Sequence, residues 1–215
     1  MKRKPKTNLS LSQVFKQYCL SNLPVNCSKT MINARGNADA KSIMLTPALS
    51  PEEYENDLPF SDSPARIFHN LLLQELNIST EEFFVAAYHN YSTEDRNGDL
   101  KVPKSATDAP SAFVREAASL GLINGVVTVG GDAFKYAFGR GRKASMQALA
   151  GNVLFDDSIN NLPVFVFPDV AGLQPEFSGD YQTDKTKKIW QEETVREIKK
   201  TITKFKKENK VYNFV

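Results

Sequence analysis

Three polar side chains stand just past apolar runs, where acid–base chemistry would be useful. His89 follows the run Phe83 to Tyr88, Asp169 follows Val164 to Phe167 and its Pro168, and Asp62 comes after Pro59-Phe60. Two carboxylates facing one pocket can divide general-acid and general-base roles if their surroundings drive their pKa values apart. Asp62 also has a plain structural reading, because Asp62-Ser63 stands where a helix should start and short polar residues cap helices. His69 falls inside a helical pattern and reads as structural or exposed. Neither histidine has a cysteine or a second histidine at ligand spacing, which disfavours zinc catalysis. Gly130-Gly131-Asp132 has neither the P-loop lysine nor the dinucleotide glycine pattern.

A second chemistry is phosphate binding. Arg140, Arg142 and Lys143, interleaved with Gly139 and Gly141, form a compact basic loop suited to a nucleic-acid backbone, or simply to solvent. The charge distribution points the same way. The net charge of the 215 residues is only +2, but residues 1–16 hold five basic and no acidic side chains, and residues 185–210 hold ten basic and four acidic ones. The body between is acidic, so the chain has basic ends on an acidic centre. A Lys-rich terminal helix has the alternative reading of a solvated face. Two cysteines, Cys19 and Cys27, cannot build a disulfide framework, and no apolar run reaches the roughly 18 residues of a membrane span. The start Met-Lys-Arg-Lys-Pro-Lys-Thr lacks the apolar core of a secretory signal. The expectation is an intracellular, cytoplasmic protein with no membrane partner and no cofactor.

The elements that must position these groups follow from periodicity. Apolar runs at residues 42–45, 83–88, 125–129 and 164–167 predict strands. Helical spacing predicts helices over residues 9–20, 63–76, 108–120, 132–138 and 183–207, the last with a buried stripe of Ile189, Trp190, Thr194, Val195, Ile198, Ile202 and Phe205. Residues 51–59 read as an acidic loop and residues 92–107, with Asn97-Gly98, as a polar one. Near-continuous apolar strands alternating with helices imply an α/β fold: a three-layer α/β/α sandwich around a central four-stranded parallel sheet. Residues 1–41 form a basic N-terminal helix and arm packing on a single domain of residues 42–215. In such sheets ligands bind beyond the carboxyl ends of the strands, so the segments after residues 45, 88, 129 and 167 are the ones to search.

At those strand ends the chain resembles the uracil-DNA glycosylase superfamily, most of all its family-four branch. The match opens with Gly36-Asn-Ala-Asp-Ala-Lys-Ser-Ile-Met-Leu-Thr46 and runs through Pro47-Ala-Leu-Ser50 and Leu58-Pro-Phe60 into the helix at Ser63. It resumes with Gly125-Val-Val-Thr-Val-Gly130 and Pro163-Val-Phe-Val-Phe-Pro168, covering roughly residues 19–200. The resemblance also shows what differs. Pro47 stands in the slot of the carboxylate that activates water, and proline has neither a carboxylate nor a backbone donor. Ala87 stands in the slot of the asparagine that reads the uracil edge. Phe167 stands in the slot of the histidine that stabilises the departing base. The family's four-cysteine iron-sulfur cluster is impossible, because Cys19 fits the first ligand, Asn22 occupies the second slot, and only one other cysteine exists.

What the resemblance retains is Phe60, which in the family stacks on a flipped base but has an equally plain reading as a core residue. Leu173, in Ala171-Gly-Leu-Gln174, matches the family's duplex wedge. The expectation is a DNA-directed binding or scaffold module that has lost uracil excision, with duplex or single-stranded DNA as partner. One alternative is an enzyme acting on a modified base, as a glycosylase or a hypermodification transferase of the kind viruses use, with Asp62, His89 or Asp169 carrying the chemistry. Another is a protein-interaction module serving DNA replication or modification, with the acidic segment Glu52 to Asp62 as a DNA-like surface.

Overall fold

Strands of four to six apolar residues and helices with one apolar stripe can bury themselves only against each other, and the computed structural model of the chain shows how. It describes residues 9–21, 29–30, 34–46, 50–87, 91–94, 100–101, 109–138, 146–173 and 180–215. In chain order these form α1 (Leu11–Ser21), β1 (Lys29–Thr30), β2 (Arg35–Gly36), β3 (Ser42–Thr46), α2 (Pro51–Asn56), α3 (Ser63–Leu76), β4 (Phe84–Ala87), β5 (Tyr91–Glu94) and β6 (Leu100–Lys101). Then come α4 (Ala109–Ser119), β7 (Gly125–Val129), α5 (Gly131–Phe138), α6 (Met146–Leu149), β8 (Val153–Asp156), β9 (Leu162–Phe167) and α7 (Tyr181–Tyr212).

Among the described residues the main sheet has six strands in the order β2-β4-β3-β7-β9-β8. The four inner strands are parallel, with Leu45 opposite Ala86, Met44 opposite Val127 and Val127 opposite Phe165. The α/β class therefore holds, but the four-stranded parallel sheet is corrected to a mixed one. Both edges are antiparallel, β2 on β4 and β8 on β9. The second edge arises because a tight turn joins β8 to β9, which antiparallel strands permit and parallel ones do not. In that turn the Asp156 side chain accepts from the Ser158 N–H at 2.9 Å, and Asn160 and Asn161 take positive φ. A small separate sheet, β1-β5-β6, pairs Lys29–Thr30 of the N-terminal arm with strands in the stretch read as a polar loop.

Side chains alternate between the two faces of the sheet, and each face has its own core. Ile43, Leu45, Phe84, Val126, Val164 and Val166 pack with α1, α4 and α5, so the N-terminal helix contributes Leu11, Val14 and Phe15 to the domain core. Met44, Val85, Val127, Phe165 and Phe167 pack with α3 and α7. Gly125 admits the return of the chain after α7, since a Cβ there would sit 2.7 Å from the ring of the buried Phe214.

α7 departs from the expected stripe. Ile198, Ile202 and Phe205 are buried, but Ile189 is 49% and Trp190 57% exposed. None of residues 182–193 is buried. The reason is length: 32 residues make a helix of about 48 Å, whereas six-residue β9 spans about 20 Å. The docked half begins at Thr194, which lies so close to Gly172 that a Cβ on that glycine would meet its Oγ1 at 2.4 Å. Among the described residues, no helix is long and apolar enough to cross a membrane.

Candidate functional site

The carboxyl ends of the inner strands are Thr46, Ala87, Val129 and Phe167. The first segment beyond them is not the loop its composition suggested. Ser50-Pro51-Glu52-Glu53 is a capping box with proline at the first helical position, and it starts α2. The Glu53 N–H donates to Ser50 Oγ at 3.2 Å, and the Ser50 N–H donates back to Glu53 Oε2 at 2.9 Å. The other carboxylate oxygen of Glu53 accepts the Phe60 N–H. Glu53 is only 4% exposed. Burial pushes its pKa up to about 7, helped by the charge of Asp62, while backbone donors from Ser50, Phe60 and Ser61 pull it down. Sequence reading passed over Glu53; the Ser-x-x-Glu spacing after Thr46 was the signal that finds it.

Phe60 is held at both ends of its peptide unit. Its N–H is on Glu53, its carbonyl accepts from Arg35 Nη1 at 3.2 Å, and Arg35 is in turn anchored on Glu81. This clamp keeps a bulky residue at φ 63°, a left-handed conformation that L side chains rarely adopt. The ring does not face solvent. At 3% exposure it meets Phe68 edge-on at 5.6 Å, and Phe68 meets Phe167 in the same way at 5.1 Å. Phe167, itself 0% exposed, continues the column to Phe165 and Phe205. To stack a base on Phe60 in this structure would mean displacing its neighbours.

The remaining predicted residues separate. Asp62 is the N-cap of α3, its Oδ1 accepting from the Ala65 N–H at 3.0 Å. Ala87 is buried at 1%. Leu173 is 0% exposed within a 3-10 turn over Ala171–Leu173, so it does not stand out as a wedge; its apolar side chain packs under α7 instead. Asp169 is exposed and lies against Gly130, its carboxyl carbon 3.6 Å from where a Cβ would be. His69 Nδ1 meets Thr80 Oγ1 at 3.1 Å, a structural contact between α3 and the turn before β4. Pro47, His89, Arg140, Arg142 and Lys143 lie outside the described residues. Among the described residues no group of three or more His, Cys, Asp or Glu is placed to hold a metal.

One residue after Phe167 the character of the surface changes. Pro168 and Ala150 form one wall of a groove of about 510 Å³, and Glu193, Arg196, Glu197, Lys200 and Lys204 of α7 form the other. The Lys200 and Glu197 side chains lie 3.7 Å apart. On the far side of the helix Lys199 reaches Glu75 of α3 at 2.7 Å. No protein-family model matches this chain, and a search of curated proteins finds no significant match.

Proposed function

We propose that this protein is a nucleic-acid-directed binding or scaffold module on a uracil-DNA glycosylase-like fold, without the excision chemistry. The observation that carries this reading is the exposed row of cations on α7, Arg196, Lys200 and Lys204, which outnumber Glu193 and Glu197 along a groove at the carboxyl end of β9. Phosphate contacts from such a row give binding that weakens steeply with salt. The filled aromatic column under Phe60 supports the loss of excision, since a base pocket there would need open space. The resemblance adds Pro47, Ala87 and Phe167 in place of the groups that activate water, read uracil and stabilise the leaving base.

The test has two arms. Binding to duplex and single-stranded DNA is measured across a salt series, and uracil-containing DNA is incubated with the protein and assayed for abasic sites. Salt-dependent binding without abasic sites is the expected result. Efficient excision overturns the reading, and absence of affinity for either form of DNA at low salt favours a protein partner instead.

A further inference from the structure

α7 carries more than a row of cations. At 3.6 residues per turn, Trp190, Glu197, Thr201 and Lys204 share one face of the helix, and Arg196 and Lys200 lie on its solvent side. Lys200 and Lys204 are one turn apart, about 6 Å along the axis, and Trp190 precedes Lys200 by about 15 Å. The groove therefore has an exposed indole beyond one end and cations along its length. The Lys204 stem passes over Gly151: its Cδ lies 2.6 Å from the position a Cβ would take, so a side chain there would push the lysine aside.

The neighbours of Trp190 on the helix surface, three and four residues away, are Thr186, Lys187, Glu193 and Thr194. None is apolar, so the indole does not belong to a seam for a second apolar helix. An aromatic face beside a cationic groove is the combination that holds single strands, whose bases present open faces for stacking while the backbone follows the charge. Paired bases in a duplex offer no such face.

We infer that this face of α7 is a track for single-stranded nucleic acid, with a base stacked on Trp190 and phosphates held by Arg196, Lys200 and Lys204. The inference rests on the nucleic-acid reading above and narrows it to strand form. Glu193 and Glu197 oppose the phosphates and moderate the affinity.

Trp190 is the only tryptophan of the chain, so its fluorescence reports directly on the track. The full-length protein is titrated with a twelve-nucleotide oligothymidylate, with a duplex of equal length, and with inorganic polyphosphate. The oligothymidylate is expected to quench Trp190 and to bind more tightly than the duplex. Trp190→Ala, at an exposed site, is expected to lower affinity for a labelled oligothymidylate about tenfold or more, with thermal unfolding unchanged. Lys200→Ala with Lys204→Ala is expected to reduce the slope of log affinity against log salt by about 1.4. Glu193→Gln with Glu197→Gln is expected to tighten binding. DNA binding that leaves Trp190 fluorescence and the Trp190→Ala affinity unchanged overturns the track while the broader reading stands. Equal quenching by polyphosphate reduces it to an anion site and overturns it, and no binding of either nucleic acid at low salt overturns both.

Discussion

Phe167 and Pro168 are consecutive, yet they belong to regions of opposite kind. Phe167 is an inner member of an aromatic column that runs from Phe60 through Phe68 and Phe167 to Phe205, whereas Pro168 lines a groove with charged residues of α7. In the first region every candidate group described is engaged in holding the fold: Glu53 clamps Phe60, and Asp62 caps α3. In the second, side chains of either charge stand at the surface. Among the described residues, then, two neighbours on one strand end can face opposite surroundings, Phe167 an apolar interior and Pro168 a charged groove that α7 shares with the turn after β9.

The largest test of this contrast is Phe167→Ala. If the ring is structural, its loss costs about 3–5 kcal/mol and lowers the melting temperature by roughly 6–20 °C in a chain of this size. A loss below about 1 kcal/mol would show that the column is not the support it is taken to be.

Glu53 comes next. Both of its oxygens accept backbone N–H groups, whereas an amide offers one oxygen, so Glu53→Gln is expected to cost about 1–3 kcal/mol. Its pKa stands at about 7 when folded against an ordinary 4.5, so the folded state binds the proton more tightly. The stability this group contributes is fully present below pH 4.5 and is lost as pH rises through about 7, on the order of 3 kcal/mol in all. Denaturant unfolding at a series of pH values measures that slope, and the Gln variant is expected to flatten it.

The smallest effect belongs to Asp62. Removing the cap by Asp62→Ala is expected to cost about 1 kcal/mol, with no change in affinity for DNA. A selective loss of nucleic-acid binding or of base turnover in this variant would move Asp62 from the structural region to the functional one and break the comparison.

The inner sheet was legible because its strands are buried on both faces and read as continuous apolar runs; Gly125–Val129 and the helix Ser63–Leu76 emerge with the expected bounds. The edges were not, since a two-residue strand such as Arg35–Gly36 has no pattern of its own and is defined only by pairing with Phe84 and Val85. α2 was hidden by its composition: five acidic residues lie between Glu52 and Asp62, and the one that matters, Glu53, is buried. Ile189 and Trp190 fitted the helical stripe, but periodicity records which face a residue occupies and not whether the domain extends far enough to cover it. The aromatic column was hidden for a related reason. Phe60, Phe68 and Phe167 are remote in sequence, and only the fold makes them neighbours.

The overhang of α7 gives the helix a gradient of order. A helix of about a dozen residues is marginal by itself in water, and residues 182–193 have no buried side chain, although the Asp180 side chain caps their first turn. Apart from that cap their conformation depends on the turns anchored at Ile198, Ile202 and Phe205, so hydrogen exchange is expected to be faster in the outer half than in the docked one. A molecule seated on Trp190 would therefore do more than occupy a surface. It would take over the anchoring that the sheet does not reach far enough to provide, and its affinity would carry the cost of keeping those turns wound.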